Sequence, residues 1–328
     1  MRSSTWHDEF AAMTRTPLAP TLRTGLLLGA HLLACQSACS GDRPTTDEGA
    51  GGLSGTGGRT EGDSSATGGA APTSGASGGA GGTGGGSSGG TPSAEPVFHV
   101  FLLLGQSNMA GYPKAEAADR VEDPRIRVLG FDACASTGRV ADQWDVAAPP
   151  LHECWNGAIG PGDYFSKTLL PHYPEADTVG LVPSAISGEK IETFLKVGGA
   201  KYGWIVARAQ AAQDVGGVIE GILFHQGESN CGDSAWPGKV KTLVSDLRTD
   251  LGLGSVPFLA GELLYSGSCA KHNPLVNQLP GLIDNAFVVS AQGLTIDPAD
   301  TWNLHFGHDA QVTLGTRYGE KMIGALGL

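Results

Sequence analysis

Apolar stretches of strand length alternate with segments of helical periodicity from residue 96 to the end of the chain. The stretches are bounded by Gly, Pro and small polar residues, which is typical of strands that are buried on both faces of a sheet. They cover residues 97–104, 178–183, 218–224, 256–263 and 286–291, and a shorter candidate strand covers residues 125–131.

The segments between these stretches carry apolar residues at the three- and four-residue spacing of amphipathic helices. They predict helices over residues 162–173, 204–215, 237–251, 273–285 and 311–326, with an interruption at Pro280 in the fourth. Alternating strands and helices predict an α/β domain with a central parallel sheet of about five strands and helices on both faces.

The composition divides the chain before this domain begins. Residues 41–95 consist mainly of Gly, Ser, Thr and Ala, which cannot bury enough apolar surface to offset the entropy of ordering. We therefore expect a disordered Gly/Ser-rich linker over residues 35–95 and one folded domain over residues 96–328. The formal net charge of −12 and the lack of a basic run argue against nucleic acid as a partner.

The first 34 residues resemble a secretory signal peptide, with Arg15 and Arg23 ahead of a short apolar core at residues 25–34. The tetrapeptide at residues 32–35, Leu-Leu-Ala-Cys, resembles a bacterial lipobox, in which Cys35 would be lipidated. We expect an exported lipoprotein at the cell surface or in the periplasm, held to the membrane only by its lipid. Simple cleavage and release is the alternative. Both Met1 and Met13 are candidate start residues.

Four cysteines, Cys134, Cys154, Cys231 and Cys269, lie in the predicted domain. An even number in an exported protein suggests two disulfides, and four cysteines allow three pairings. Cys134 and Cys154 lie within one long irregular excursion, whereas Cys231 and Cys269 each follow a strand at the same edge of a parallel sheet. We therefore predict the pairs Cys134–Cys154 and Cys231–Cys269.

Candidate chemistry follows the apolar stretches. Ser107 lies just after the first strand in the segment GQSNMAG, and residues 225–230, HQGESN, follow the strand at 218–224. His305 lies in NLHFG before the last helix. Open α/β sheets place their sites at the carboxyl ends of strands, so these three segments are candidates for a nucleophile, an acid and a base. The predicted domain has neither the G-x-S-x-G elbow nor a P-loop.

These segments, together with PSAISGEKIETF at residues 183–194 and the Gly160-Pro161-Gly162 turn, resemble the SGNH-hydrolase superfamily. Within it, the chain resembles the sialate O-acetylesterase-like group, which includes acetyl-xylan esterases of carbohydrate esterase family 6. The resemblance covers residue 97 to the end of the chain. It implies a flavodoxin-like three-layer sandwich and a serine carbohydrate O-acetylesterase that needs no cofactor and acts on O-acetylated sugars of the xylan or sialic acid type.

The resemblance also implies roles for single residues. Ser107 would be the nucleophile, and His305 would be the general base and acid. Many SGNH enzymes carry an aspartate three residues before this histidine, but Trp302 occupies that position here, so Glu228 is the expected partner of His305, ahead of Asp300 and Asp297. The expected oxyanion hole consists of the Ser107 and Gly188 backbone N–H groups and the Gln226 amide.

Two other functions fit parts of the sequence. The pairs His305/His308 and His225/Glu228 contain zinc-type ligands, which would make the chain a metal-dependent hydrolase. We expect no metal, because the serine motif would then have no purpose. A catalytically inactive, surface-tethered carbohydrate-binding protein with a hydrolase fold is the second alternative.

Overall fold

The computed structural model describes residues 95–154 and 157–328, which contain one seven-stranded sheet. The strands are β1 (Phe98–Gly105), β2 (Ile126–Leu129), β3 (Trp144–Val146), β4 (Thr178–Ala185), β5 (Gly217–His225), β6 (Phe258–Gly261) and β7 (Ala286–Val289). Their order across the sheet is β3-β2-β4-β1-β5-β6-β7. All neighbours pair in parallel except β2 and β3, which are antiparallel.

Six α-helices connect the strands or follow them. They are α1 (Ser107–Ala110), α2 (Pro161–Leu169), α3 (Tyr202–Asp214), α4 (Trp236–Asp250), α5 (Asn273–Val276) and α6 (His308–Leu326). Short 3-10 turns cover Leu170–His172, Ile191–Phe194, Glu228–Asn230, Ala270–His272 and Leu279–Gly281. No helix among the described residues has both the length and the apolar character that crossing a membrane requires.

The sheet separates two hydrophobic layers. Val100, Leu102 and Leu104 of β1 face the side covered by α3 and α4, whereas Phe101 and Leu103 face the side covered by α2 and α6. Because successive side chains of a strand point to opposite faces, a strand buried on both sides needs an unbroken apolar run. The three-layer α/β architecture predicted from the sequence is therefore confirmed.

The strand predictions differ from the structure mainly at one edge of the sheet. The candidate at residues 125–131 forms β2, and β3 was not predicted because its three residues are only partly buried and lack an apolar run. The sheet is thus larger than the expected five strands. The predicted helix at residues 273–285 is broken into α5 and a 3-10 turn, since Pro280 cannot continue a helix. The predicted leader, linker and lipidation site up to residue 94 lie outside the described residues.

Two glycines bring the end of β1 against neighbouring backbone. Gly105 has φ +138°, and a Cβ atom there would lie 2.1 Å from the carbonyl oxygen of His225 on β5. Gly111, with φ +109°, would place a Cβ atom 2.7 Å from the carbonyl oxygen of Ile159. Only glycine fits such approaches, and they fix the segment containing Ser107 between β5 and the start of α2.

Candidate active site

Ser107 and His305 meet at the carboxyl edge of the sheet. Ser107 opens α1 directly after β1, and His305 lies three residues before α6. The Nε2 atom of His305 is 3.0 Å from Oγ of Ser107, which is hydrogen-bonding distance. A hydroxyl next to an imidazole nitrogen can lose its proton to it, so the pair has the geometry of an activated nucleophile.

Asp300 lies on the other side of the imidazole. Its Oδ2 atom is 3.2 Å from Nδ1 of His305, and its side chain is fully buried. The same oxygen accepts hydrogen bonds from the backbone N–H groups of Leu304 and His305 at 2.7 Å each. These bonds orient the carboxylate toward the loop backbone. Its oxygen is near Nδ1 of His305 but is not aligned with it as a hydrogen bond. Such contacts often tighten only when substrate binds.

The protonation states suit base catalysis. Burial lowers the pKa of His305, and the nearby Asp300 carboxylate offsets only part of this effect, so the imidazole is neutral at neutral pH. Burial alone would raise the pKa of Asp300, but the backbone hydrogen bonds from His305, Leu304 and Trp302 outweigh it and keep the pKa below its usual value. A neutral base next to an ionised acid is the state from which a serine can be deprotonated.

Asn108 connects the serine segment to the histidine loop. Its side chain donates to the carbonyl oxygen of Leu304 at 2.9 Å and accepts from the N–H of Phe306 at 3.1 Å. Its backbone carbonyl oxygen accepts from the Gln311 amide at 3.2 Å. Since these bonds join the neighbours of Ser107 to those of His305, the fully buried Asn108 sets the distance between them.

Tyr112 covers one face of the imidazole. The two rings are stacked with centroids 3.9 Å apart and an angle of 6° between their planes. Gly111, in its positive-φ conformation, turns the chain after α1 so that Tyr112 reaches this place. Tyr112 was not among the site residues predicted from the sequence; the signal for it is its position directly after Gly111, the glycine that ends the serine motif.

The domain that carries this geometry matches a known protein family. Residues 97–324 match the family described as carbohydrate esterase, sialic acid-specific acetylesterase. The chain belongs to this carbohydrate esterase family. It is therefore a carboxylic ester hydrolase, as the serine motif implied.

Individual relatives agree with this assignment. The esterase is 30% identical over 242 residues to the Arabidopsis thaliana protein named "probable carbohydrate esterase", with 67% of this chain and 88% of the relative covered. The crystal structure of that plant protein superposes with a TM-score of 0.60 at 26% identity, over 70% of this chain and 99% of the other. The structure of NanS, at 17% identity and a TM-score of 0.58 over 71% of this chain and 98% of the other, supports the fold alone.

Glu228 is not where we expected it in the esterase. Its Oε1 atom accepts from Nδ2 of Asn108 at 2.5 Å and lies 3.8 Å from Nε2 of His225, whereas Asp300 is next to His305. The geometric prediction that Glu228 contacts His305 is therefore wrong. The 3-10 turn after β5 directs Glu228 beneath the serine segment, and the loop before His305 folds back to supply the carboxylate from residue 300.

Gln226 has no amide hydrogen left for an oxyanion. Its Nε2 group donates to Asn230 at 2.8 Å and is also within reach of Gln106 and the Glu189 carbonyl, while its oxygen accepts from Trp236. It is 1% exposed. The expected oxyanion role is not supported, because a buried amide that is already satisfied holds loops together.

The two backbone donors expected in the oxyanion hole, the N–H groups of Ser107 and Gly188, differ from the Gln226 amide in being unpaired. Among the described residues, neither the Ser107 N–H nor the Gly188 N–H donates to a protein acceptor. Ser107 lies at the start of α1, and Gly188 is exposed in the turn after β4, with φ +77° and its carbonyl bonded to Ser229. Both N–H groups are thus free to bind a ligand oxygen.

The cysteines agree with one of the two predicted pairs. Cys134 and Cys154 form a disulfide, which closes the excursion between β2 and α2. Cys231 and Cys269 are free thiols, so the second predicted disulfide is wrong for this structure. They are neighbours, as the sheet edge implied: burial, and then contact with the Cys231 thiol, raise the pKa of Cys269, whose sulfur lies 3.6 Å from the Glu228 carbonyl oxygen.

The candidate zinc ligands do not form one group, although His225 and Glu228 lie close to each other. His308 pairs with Asp119 at 2.8 Å, and His225 is fully buried with its Nδ1 atom 3.3 Å from the Tyr318 hydroxyl. Within residues 95–154 and 157–328, no group of three or more His, Cys, Asp or Glu side chains is placed to hold a metal ion. His305 is instead committed to Ser107.

Proposed function

We propose that the protein is a serine O-acetylesterase that removes acetyl groups from O-acetylated carbohydrates through an acyl-enzyme. The observation that carries this proposal is the Ser107–His305 contact of 3.0 Å with the Asp300 carboxylate behind the imidazole, in a chain of the carbohydrate esterase family. Xylan-type and sialic acid-type acetyl esters both fit this chemistry.

In the first step, Ser107 Oγ attacks the acetyl carbonyl carbon while His305 Nε2 takes the serine proton. Asp300, at Nδ1, holds the imidazole and stabilises its protonated form. The N–H groups of Ser107 and Gly188 bind the oxyanion. The ester C–O bond then breaks, and His305 returns the proton to the sugar oxygen, which leaves as a hydroxyl.

The second step repeats the first with water. His305 removes a proton from water, the hydroxide oxygen attacks the acetyl-serine carbonyl, and the bond to Ser107 Oγ breaks. The serine oxygen recovers its proton from His305, and acetate is released. The unpaired backbone N–H groups serve both tetrahedral intermediates, since each places negative charge on the same oxygen.

The test is Ser107→Ala with acetate release as the readout. We expect the rate to fall by about 10⁴ to 10⁶. Rapid acid quenching of the wild-type protein with substrate, followed by mass spectrometry, should show an acetyl group on the peptide that contains Ser107. A Ser107→Ala variant that retains a tenth of the wild-type rate would exclude the nucleophile. The inactive carbohydrate-binding alternative requires no acetate release by the wild type.

We also propose that the esterase is exported and anchored through a lipid on Cys35. The support is the sequence alone: the apolar segment at residues 25–34, the Leu-Leu-Ala-Cys motif and the glycine-rich segment that follows. Expression in a bacterium with a labelled fatty acid should label the wild-type protein and not Cys35→Ser. Label on neither, with the protein in the medium, would indicate simple cleavage and release.

A further inference from the structure

Trp302 has an exposed side chain on a fixed backbone. Its backbone N–H donates to Asp300 Oδ1 at 3.1 Å, and its backbone carbonyl oxygen accepts from the Ser268 hydroxyl at 2.9 Å. The next residue, Asn303, accepts from the Ser268 N–H at 2.8 Å and has φ +55°. Both peptide groups of Trp302 are therefore tied to neighbouring loops, so its side chain is presented to solvent from a defined position.

The exposure of this indole is unusual within the described residues. Trp302 is 52% exposed, whereas Trp236 is fully buried and Trp144 and Trp204 are partly buried. Its indole N–H makes no hydrogen bond to any described residue. Leaving a large apolar ring in water is unfavourable, and a rigid exposed aromatic surface beside a catalytic group is a feature of ligand contact.

Trp302 lies beside the catalytic imidazole. The centroids of the Trp302 and His305 rings are 6.0 Å apart, with an angle of 77° between the planes. Tyr112 already stacks against one face of the His305 imidazole. The indole and imidazole planes are nearly perpendicular, and about half of the Trp302 surface remains exposed.

The reaction places the sugar near this indole. His305 Nε2 protonates the oxygen that leaves, and that oxygen is bonded directly to a ring carbon of the sugar or to its exocyclic carbon. The sugar must therefore lie next to His305 when the acyl-enzyme forms. A pyranose has an apolar face of C–H bonds and a rim of hydroxyl groups, which match an indole face and an indole N–H donor.

We propose that Trp302 is a specificity-determining residue that binds the pyranose ring of the acetylated substrate by stacking. This inference rests on the proposed carbohydrate O-acetylesterase function. Trp302 does not take part in the proton transfers: it binds the leaving group, and the acetyl group itself makes no demand on it. Esters that lack a ring should therefore react independently of Trp302.

The experiment compares two acetyl esters in the full-length protein. One is an O-acetylated methyl xyloside, which carries a pyranose, and the other is ethyl acetate, which has no ring. For Trp302→Ala we expect kcat/KM on the xyloside to fall by about tenfold or more, mainly through a higher KM, and kcat/KM on ethyl acetate to stay within about twofold. Trp302→Phe, which keeps an aromatic face, should recover part of the loss.

Leu282→Ala is the matched control, since Leu282 is an exposed apolar side chain that precedes β7 at the opposite edge of the sheet. It should change neither substrate's kcat/KM. An equal fall on both esters for Trp302→Ala would overturn the inference, because Trp302 would then act on His305 and not on the sugar. An unchanged xyloside rate would overturn it as well.

Failure of the proposed function is visible separately, in the wild type. If the wild type hydrolyses ethyl acetate and releases no acetate from any acetylated sugar, the carbohydrate part of the proposal is wrong and the inference falls with it. If the wild type hydrolyses acetylated sugars and Trp302→Ala does so equally well, the function stands and only the inference is lost.

Discussion

At the scale of single residues, the Asp300 carboxylate accepts hydrogen bonds from a loop and also lies beside the His305 imidazole. Three backbone N–H groups, from Trp302, Leu304 and His305, donate to it, and its Oδ2 atom lies behind Nδ1 of His305. A carboxylate with this many donors stays ionised, so it could stabilise the imidazolium that the proposed mechanism requires. Glu228 acts elsewhere, since through Asn108 it supports the segment that contains Ser107.

We predict that Asp300→Asn lowers kcat by up to about 10⁴-fold, because an amide favours the wrong imidazole tautomer and cannot accept all of these hydrogen bonds. Glu228→Gln should stay within about tenfold of the wild type, since the glutamine oxygen can still accept from Asn108. Steady-state acetate release measures both.

Asp297→Asn is the control for this comparison, because Asp297 lies in the same loop and its Oδ1 atom accepts from the Ala299 N–H. It should leave kcat within about tenfold. A severe loss for Glu228→Gln together with a mild one for Asp300→Asn would show that catalysis depends on the glutamate and that the Asp300 contact is incidental.

The sequence predicted Ser107 and His305 better than their partner for a physical reason. A serine after a buried strand and a histidine before a helix are placed by the ends of regular elements, which hydrophobic patterns reveal. Asp300 is placed by the irregular path of residues 300–304, which depends on its own hydrogen bonds and on Asn303 at φ +55°. The spacing in the resembled family therefore pointed to position 302 for the carboxylate. Because Trp302 occupies that position, Glu228 was predicted as the partner of His305.

At the scale of elements, α6 positions the histidine loop by packing closely on α2. Gly315 would place a Cβ atom 2.4 Å from the carbonyl oxygen of Pro161, and Gly319 would place one 2.7 Å from Cβ of Thr168. Small residues at this spacing let the two helix backbones approach, and α6 begins three residues after His305. The helical pattern of residues 311–326 indicated α6, but not this contact, because glycine contributes nothing to an apolar periodicity.

We predict that Gly315→Ala destabilises the domain by about 1–3 kcal/mol, since the added methyl group overlaps backbone that cannot easily move. Gly324→Ala, in the same helix, adds a methyl group that would meet no atom within 4 Å, so it should stabilise the domain by up to about 1 kcal/mol through helix propensity. Urea unfolding followed by circular dichroism measures both. Shifts of the same sign in the two variants would contradict the close packing of α2 and α6.

At the scale of the whole domain, buried histidines and buried carboxyl groups have opposite effects on stability as the pH falls. Burial lowers the pKa of His152 and of His225 to about 3 and that of His272 to about 4. Burial raises the pKa of Asp163 and of Glu228 to about 7, although a hydrogen bond from Asn108 limits the shift of Glu228. The sequence shows none of this, because it does not say which polar residues are buried.

The sign of each contribution follows from proton uptake on unfolding. The three imidazoles are neutral when folded and take up protons on unfolding below about pH 6.5, so acidification destabilises the domain through them. The two carboxyl groups are protonated when folded below about pH 7 and release protons on unfolding until the pH reaches about 4.5. Between these values, acidification therefore stabilises the domain through the carboxyl groups and offsets part of the loss.

Glu228→Gln should remove the stabilising contribution that one of these two carboxyl groups makes on acidification, because glutamine does not titrate. We predict that, between pH 6.5 and pH 5, the free energy of unfolding falls more steeply in Glu228→Gln than in the wild type, by roughly 1 kcal/mol per pH unit. Glu175→Gln, at an exposed glutamate, should have the wild-type slope. The measurement is urea unfolding at several pH values in this range. Parallel slopes for the wild type and Glu228→Gln would show that Glu228 is ionised in the folded protein, with the negative charge stabilised where it contacts Asn108.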